Sequence, residues 1–148
     1  MKLMLDTNII LDYLLQRQPH FHDSRTVTLL GLFQDTQNYI CAHTITDVNY
    51  ILCKTYGSAR AQEIIEKDLD FLKLAPITQT EISNALARRW NDFEGAVVST
   101  CAETIRADFI ITRNEKDFKL SKIRALSPTD YLSWLKLNNI VCDVVSFT

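Results

Sequence analysis

The stretch Lys2-Leu3-Met4-Leu5-Asp6-Thr7-Asn8-Ile9-Ile10-Leu11-Asp12-Tyr13-Leu14-Leu15 changes its periodicity at the first acid. Before Asp6, residues 2–5 form a short run with no polar alternation, as in a strand covered on both faces. After it, Ile10, Leu11, Leu14 and Leu15 fall on one face of a helix over 7–15. A buried strand passing into an amphipathic helix through a single acid is the opening of an α/β unit. The rest of the chain shows whether that unit repeats.

It does. After Pro19 a second helix is predicted over 21–34, carrying Val27, Leu30 and Phe33. Residues 39–42 read as a second buried strand, and Thr44 as the cap of a helix through Val48, Ile51 and Leu52 that stops near Gly57. Ser58 opens another helix, followed by a strand at 73–77 that Pro76 pushes towards a sheet edge. Thr78-Gln79-Thr80-Glu81 is a capping box for a helix over 79–89. A helix over 92–106, a strand over 108–112, a short strand over 122–126 and a helix opened by Ser127-Pro128 complete the pattern. Short apolar runs alternating with amphipathic helices predict a three-layer α/β/α fold with a central, mostly parallel twisted sheet. Residues 1–137 are expected to form one domain, with 138–148 as a C-terminal tail.

Composition narrows the class of protein. A chain of 148 residues with 47% hydrophobic and 23% charged side chains matches one ordinary soluble domain. Sixteen basic and eighteen acidic residues give a net charge of −2, against nucleic-acid binding through bulk positive charge. No apolar stretch reaches the ~18 residues of a membrane span, and the acids at 6 and 12 interrupt the N-terminal apolar run that a signal peptide needs. Cys41, Cys53, Cys101 and Cys142 stand singly, as four buried reduced thiols rather than a disulfide frame or zinc site. A cytoplasmic location is expected.

The acids fall where such a fold binds ligands, outside the carboxyl ends of its strands. Asp6 follows the first strand, Asp47 lies in the first turn after the strand at 39–42, and Asp92 and Glu94 open the helix before the strand at 108–112. Asn114, Glu115 and Asp117 follow that strand. Carboxylates converging from distant segments suit a hard divalent cation such as Mg²⁺ or Mn²⁺, and the chemistry such a cation supports is phosphodiester hydrolysis. The bland alternative for each acid is a helix cap or dipole partner. His20 and His22 read as surface residues, and His43, just past the strand at 39–42 and nearer the acids, as structural in preference to a phosphate contact. Arg88, Arg89 and Trp90 fit either phosphate and base contact or a cationic helix end.

Sequence context favours the cluster. Leu5-Asp6-Thr7-Asn8-Ile9-Ile10-Leu11-Asp12 resembles the opening motif of the PIN domain (PilT N-terminus) family. Ile45-Thr46-Asp47-Val48-Asn49-Tyr50-Ile51-Leu52 resembles its second motif, with Asp47 where the family usually has Glu. Asp92-Phe93-Glu94-Gly95-Ala96 is similar to Asp-Phe-Glu-Asp-Ala, and 107–118 and 125–132 are similar to its closing strand, loop and final segment. The resemblance covers about residues 2–135, in the family's order.

That resemblance implies a Mg²⁺- or Mn²⁺-dependent endoribonuclease, and among its relatives the VapC-type toxins of toxin–antitoxin pairs. RNA, an antitoxin protein and a second copy of the chain are the implied partners. It assigns Asp6, Asp47, Asp92 and Asp117 to metal binding and catalysis, with Asn8, Thr112, Arg113 and Asn114 towards substrate. Asp92 stands in for the acid missing at Gly95, while Glu94 is expected to point elsewhere. The alternative is a catalytically weak PIN domain that binds RNA or protein, favoured by Gly95. A phosphatase using the acid after its first strand would want a second Asp where Asn8 stands.

Overall fold

The structure is a computed structural model that describes residues 1–143. Residues 144–148 of the expected tail lie outside the described residues. Five strands, β1 (Lys2–Leu5), β2 (Gln37–Cys41), β3 (Leu72–Ala75), β4 (Phe109–Ile111) and β5 (Ala125–Leu126), make one sheet in the order β3-β2-β1-β4-β5. Every neighbouring pair is parallel. The described helices are α1 (Thr7–Leu14), α2 (Phe21–Leu32), α3 (Ala42–Tyr56), α4 (Ser58–Asp68), α5 (Gln79–Ala87), α6 (Phe93–Thr104) and α7 (Pro128–Leu137). Parallel neighbours require crossovers, and the helices supply them on both faces of the sheet.

The two faces explain why β1 lacks alternation. Leu3 and Leu5 point into a core built with Ile9, Ile10, Val27, Leu30, Leu52 and Tyr131. Met4 points the other way, into a core with Ala85, Ala96, Val97, Cys101 and Ala102 from α5 and α6. Each fully buried Leu or Ile of this kind contributes about 1.5–3 kcal/mol relative to exposure. The expected α/β/α layering is therefore the architecture observed, with β1 at its centre.

Several boundaries move for local reasons. The second strand ends at Cys41 and α3 begins at Ala42, so Thr44 lies inside the first turn instead of capping it. Its hydroxyl meets that of Thr7 at 3.0 Å. Pro76, which has no N–H to give, lies just beyond β3, and that strand is an edge strand as its proline required. The fifth strand is confined to two residues, not 122–126, because β4 offers it only a short partner. Thr78 caps α5, accepting the Thr80 N–H, but Glu81 takes the Thr78 hydroxyl proton (2.6 Å) instead of reaching back to the backbone. Ser127 and Pro128 open α7 as expected, the serine accepting the Asp130 N–H at 3.0 Å.

The C-terminal helix closes over β4 through Phe109, Tyr131 and Trp134, whose rings pack with centroids 4.8–6.2 Å apart. Leu137, at the end of this helix, is exposed. Beyond the helix, Cys142 returns to the main core and the Asp143 N–H donates to Asp35. None of the four cysteines forms a disulfide, and Cys41, Cys101 and Cys142 are buried as expected whereas Cys53 is half-buried. No helix among the described residues is long and apolar enough to cross a membrane.

Candidate active site

Parallel register places the first pair of site residues. Leu5 pairs with Ile111, so Asp6 and Thr112 leave adjacent strands side by side. The Asp6 N–H donates to the Ile111 carbonyl (2.9 Å), and its carboxylate is then held from three directions. Oδ1 accepts the Thr7 N–H at 2.9 Å, capping α1, while Oδ2 accepts the Thr112 hydroxyl at 2.8 Å and Asn8 Nδ2 at 3.4 Å. Burial raises the Asp6 pKa above the ordinary carboxylate range, against the lowering hydrogen bonds from Thr112 and Thr7, and the charges of Glu94 and Asp92 raise it further. A positive charge placed beside Asp6 would relieve that penalty.

The remaining acids come from α3, the start of α6 and the turn after β4. Because α3 begins at Ala42, Asp47 lies in its second turn, too far from the N-terminus for the cap or dipole role. His43, four residues earlier, shares its face. Opposite them stands α6, where Glu94 Oε1 lies 3.2 Å from His43 Nε2. Ligand atoms of His43, Asp47 and Glu94 all come within 4.8 Å of one another. Asp92 occupies the N-cap position of α6 but makes no cap hydrogen bond, so of the two bland roles only that of dipole partner fits it. The single 3-10 turn Glu115–Phe118 brings Asp117 alongside, and the Asn114 N–H is fixed by the Thr112 hydroxyl at 3.0 Å.

Together these segments enclose a cleft of about 360 Å³. Asp6, Asp47, Asp92, Glu94 and Asp117 line it, with Asn8, Asn114 and the rings of Tyr50 and Phe118, and no lysine or arginine is among its described lining residues. Five carboxylates with no protein cation between them form an all-oxygen donor set suited to a hard divalent ion. By the chemistry of its donors, the site fits Mg²⁺ or Mn²⁺.

The expected metal ligands Asp6, Asp47, Asp92 and Asp117 all line this cleft, while the ligand atoms that converge within 4.8 Å among the described residues are those of His43, Asp47 and Glu94. The residues expected to contact substrate divide. Asn114 lines the cleft, and so does Asn8, although the Asn8 amide is engaged at both ends, with Oδ1 accepting the Arg113 N–H at 3.3 Å. Thr112 is fully buried beneath Asp6 and touches it, not the cleft. Arg113 is absent from the cleft because its guanidinium forms a two-point ion pair with Asp12, through Nε at 2.5 Å and Nη2 at 3.2 Å. Asp12 has no exposed surface of its own, so this arginine neutralises a buried charge.

Three site residues escaped the sequence reading. Glu94, expected to point elsewhere, forms a wall of the cleft; His43 reaches it; and Tyr50 lines the mouth with the Lys54 ammonium 4.3 Å from its ring centroid. The i, i+4 spacing of His43 and Asp47 was a usable signal once the helix is started at Ala42. Arg88, by contrast, is occupied by Glu103 and by Ser99 (3.1 Å) and sits over Trp90, away from the cleft. His20 and His22 are exposed.

Comparisons with known proteins bear on the fold and the family. The family model described as PIN domain matches residues 2–116. Among solved structures, the chain is similar to VapBC-1 from nontypeable Haemophilus influenzae, with a TM-score of 0.65 and 19% identity over 87% of this chain and 99% of that one. A toxin–antitoxin complex from Klebsiella pneumoniae gives a TM-score of 0.63 and 22% identity over 84% and 96% of the two chains. VapBC2 from Rickettsia felis, bound to a DNA fragment from its promoter, gives 0.64 and 15% over 86% and 98%. A search of curated proteins returned no match. At these identities the structural likeness speaks for the fold alone, while the family match covers most of the chain and every lining residue of the cleft except Asp117 and Phe118. The chain belongs to the PIN domain family.

Proposed function

We propose that this PIN domain is a Mg²⁺- or Mn²⁺-dependent endoribonuclease that hydrolyses RNA phosphodiester bonds. The observation that carries the reading is the set of five carboxylates around one cleft at the carboxyl ends of β1 and β4, with no lysine or arginine in its described lining. Asp6 and Asp92 would hold the ion at the floor, with Asp47 and Asp117 as ligands from the walls, directly or through water. When bound, the divalent ion supplies Lewis-acid stabilisation of phosphate charge and an acidified water. Thr112, Thr7 and Asn8 hold the Asp6 carboxylate in one orientation, so that no reorganisation is needed when charge develops. Asn114 lies at the cleft edge, where its amide is available to a phosphate oxygen, and Tyr50 offers a ring on which a base can stack.

The negative cleft would repel RNA without the ion, which makes binding of the backbone conditional on metal. One solved structure described above is a toxin–antitoxin complex, which supports the reading of this chain as a toxin component with an antitoxin partner; the family resemblance adds action in the cytoplasm as a homodimer. Cleavage of a mixed single-stranded RNA pool should require Mg²⁺ or Mn²⁺ and fall at least about 100-fold in Asp6→Asn, whose isosteric amide keeps the fold. Cleavage unchanged in that variant would overturn the proposal. RNA or partner binding without metal uptake would instead support a binding module, the reading that Gly95 favours by offering no ligand of its own.

A further inference from the structure

We infer that Gly95 is a positioning residue of the metal site: its missing side chain is what lets Asp92 deliver a carboxylate into the cleft. The inference rests on the metal-dependent reading above. A Cβ built at position 95 would lie 2.7 Å from Asp92 Oδ2 and 3.2 Å from its Cγ, closer than real Cβ contacts allow. The Asp92 carboxylate therefore occupies the space in which any side chain at 95 would begin. Gly95 itself is buried in the first turn of α6 and lines the cleft.

Two further observations separate this from an ordinary helix start. The backbone of Gly95 has no positive φ, so nothing in its conformation calls for glycine, and alanine is the better helix former there. An N-cap aspartate ordinarily turns its oxygens onto the N–H groups of the first turn, but Asp92 makes no such bond. With the backbone bond to its own carbonyl intact (Ala96 N–H, 3.1 Å), the side chain is free to lie across Gly95 towards Asp6 and Glu94. Asp92, Glu94 and Gly95 line the same cleft as Asp6, so a carboxylate lying across Gly95 faces the central acid's cleft.

The clash at 95 involves the far end of a flexible side chain, so a small substitution is relieved by rotating Asp92 out of the cleft while the helix stays folded. An aspartate at 95 would begin where Asp92 Oδ2 now lies and would carry its own carboxylate into the same region. Residues 92 and 95 are thus alternative carriers of one ligand.

The test is Mn²⁺ binding by calorimetry to the full chain and to four variants, with thermal unfolding as the control for folding. Asp92→Ala should weaken Mn²⁺ binding by at least about ten-fold. Gly95→Ala should weaken it to within about three-fold of the same value while the melting temperature is unchanged or raised. Asp92→Ala combined with Gly95→Ala should lose nothing further, because both changes remove one carboxylate. Asp92→Ala combined with Gly95→Asp should regain most of the affinity. Wild-type affinity in Gly95→Ala, or losses that multiply in the double variant, would overturn the inference and leave the metal-dependent reading standing. A wild-type chain that takes up no Mn²⁺ would instead overturn that reading, and the inference with it.

Discussion

Removing the guanidinium of Arg113 separates a role in substrate binding from a role in holding the loop after β4. Asp12 has no exposed surface and Arg113 is 30% exposed, so their two-point pair is mostly withdrawn from water. Breaking a buried pair from one side typically costs about 3–5 kcal/mol, because the remaining charge is stranded. The partial exposure of the arginine lets water reach Asp12 once the head group is gone, which reduces the expected loss in Arg113→Met to about 2–3 kcal/mol. For a domain of this size that corresponds to a fall of roughly 5–10 °C in melting temperature. Replacing both partners, Asp12→Leu with Arg113→Met, should restore most of the loss, since two apolar groups of similar volume leave nothing unpaired. Urea unfolding of the three proteins measures these values. A loss below about 0.5 kcal/mol in Arg113→Met, accompanied by a large rise in KM for RNA, would refute the structural assignment and return Arg113 to the substrate.

Three other perturbations probe separate parts of the account. Burial raises Asp68 to about 6, with one carboxylate oxygen unpaired, so between about pH 4 and 6 the folded chain keeps a proton that the unfolded chain releases. Stability from this residue therefore declines as pH rises through that window, and Asp68→Asn should remove the decline and add about 1–2 kcal/mol at pH 7; melting curves from pH 4 to 7 that superimpose with wild type in slope would contradict this. Thr112→Val leaves Asp6 without its shortest side-chain hydrogen bond and strands the Asn114 N–H, predicting a stability loss of about 1–2 kcal/mol and a 10–100-fold weaker Mn²⁺ affinity by calorimetry. Tyr50→Ala should raise KM for single-stranded RNA roughly ten-fold or more while Tyr50→Phe keeps it, a contrast that a hydroxyl contact would reverse.

Much of this arrangement was legible because β1 and α1 obey simple periodicities. An unalternating strand followed directly by a helical stripe fixes Asp6 at a carboxyl end, and the parallel register then fixes Thr112 beside it. The acids of the cleft were legible as positions but not as directions. Glu94, expected to point elsewhere, meets His43 across the cleft. Starting α3 three residues late, with Thr44 and not Cys41 as its cap, hid the shared face of His43 and Asp47. Arg113 followed the strand end as a substrate contact would. Only the burial of Asp12, a consequence of how α1 packs, reveals where its charge is spent. Gly95 read as a missing acid because sequence shows what a residue lacks and not which neighbour fills the space.

The central claim is that the carboxylates of this cleft hold a divalent ion through Asp6 and Asp92. Anomalous diffraction from crystals soaked in Mn²⁺ tests it most directly. The account predicts a peak inside the cleft, with carboxylate oxygens of both Asp6 and Asp92 roughly 2.0–2.6 Å away. An empty cleft at saturating Mn²⁺, or a peak coordinated only by His43, Asp47 and Glu94 with Asp6 uninvolved, would contradict it.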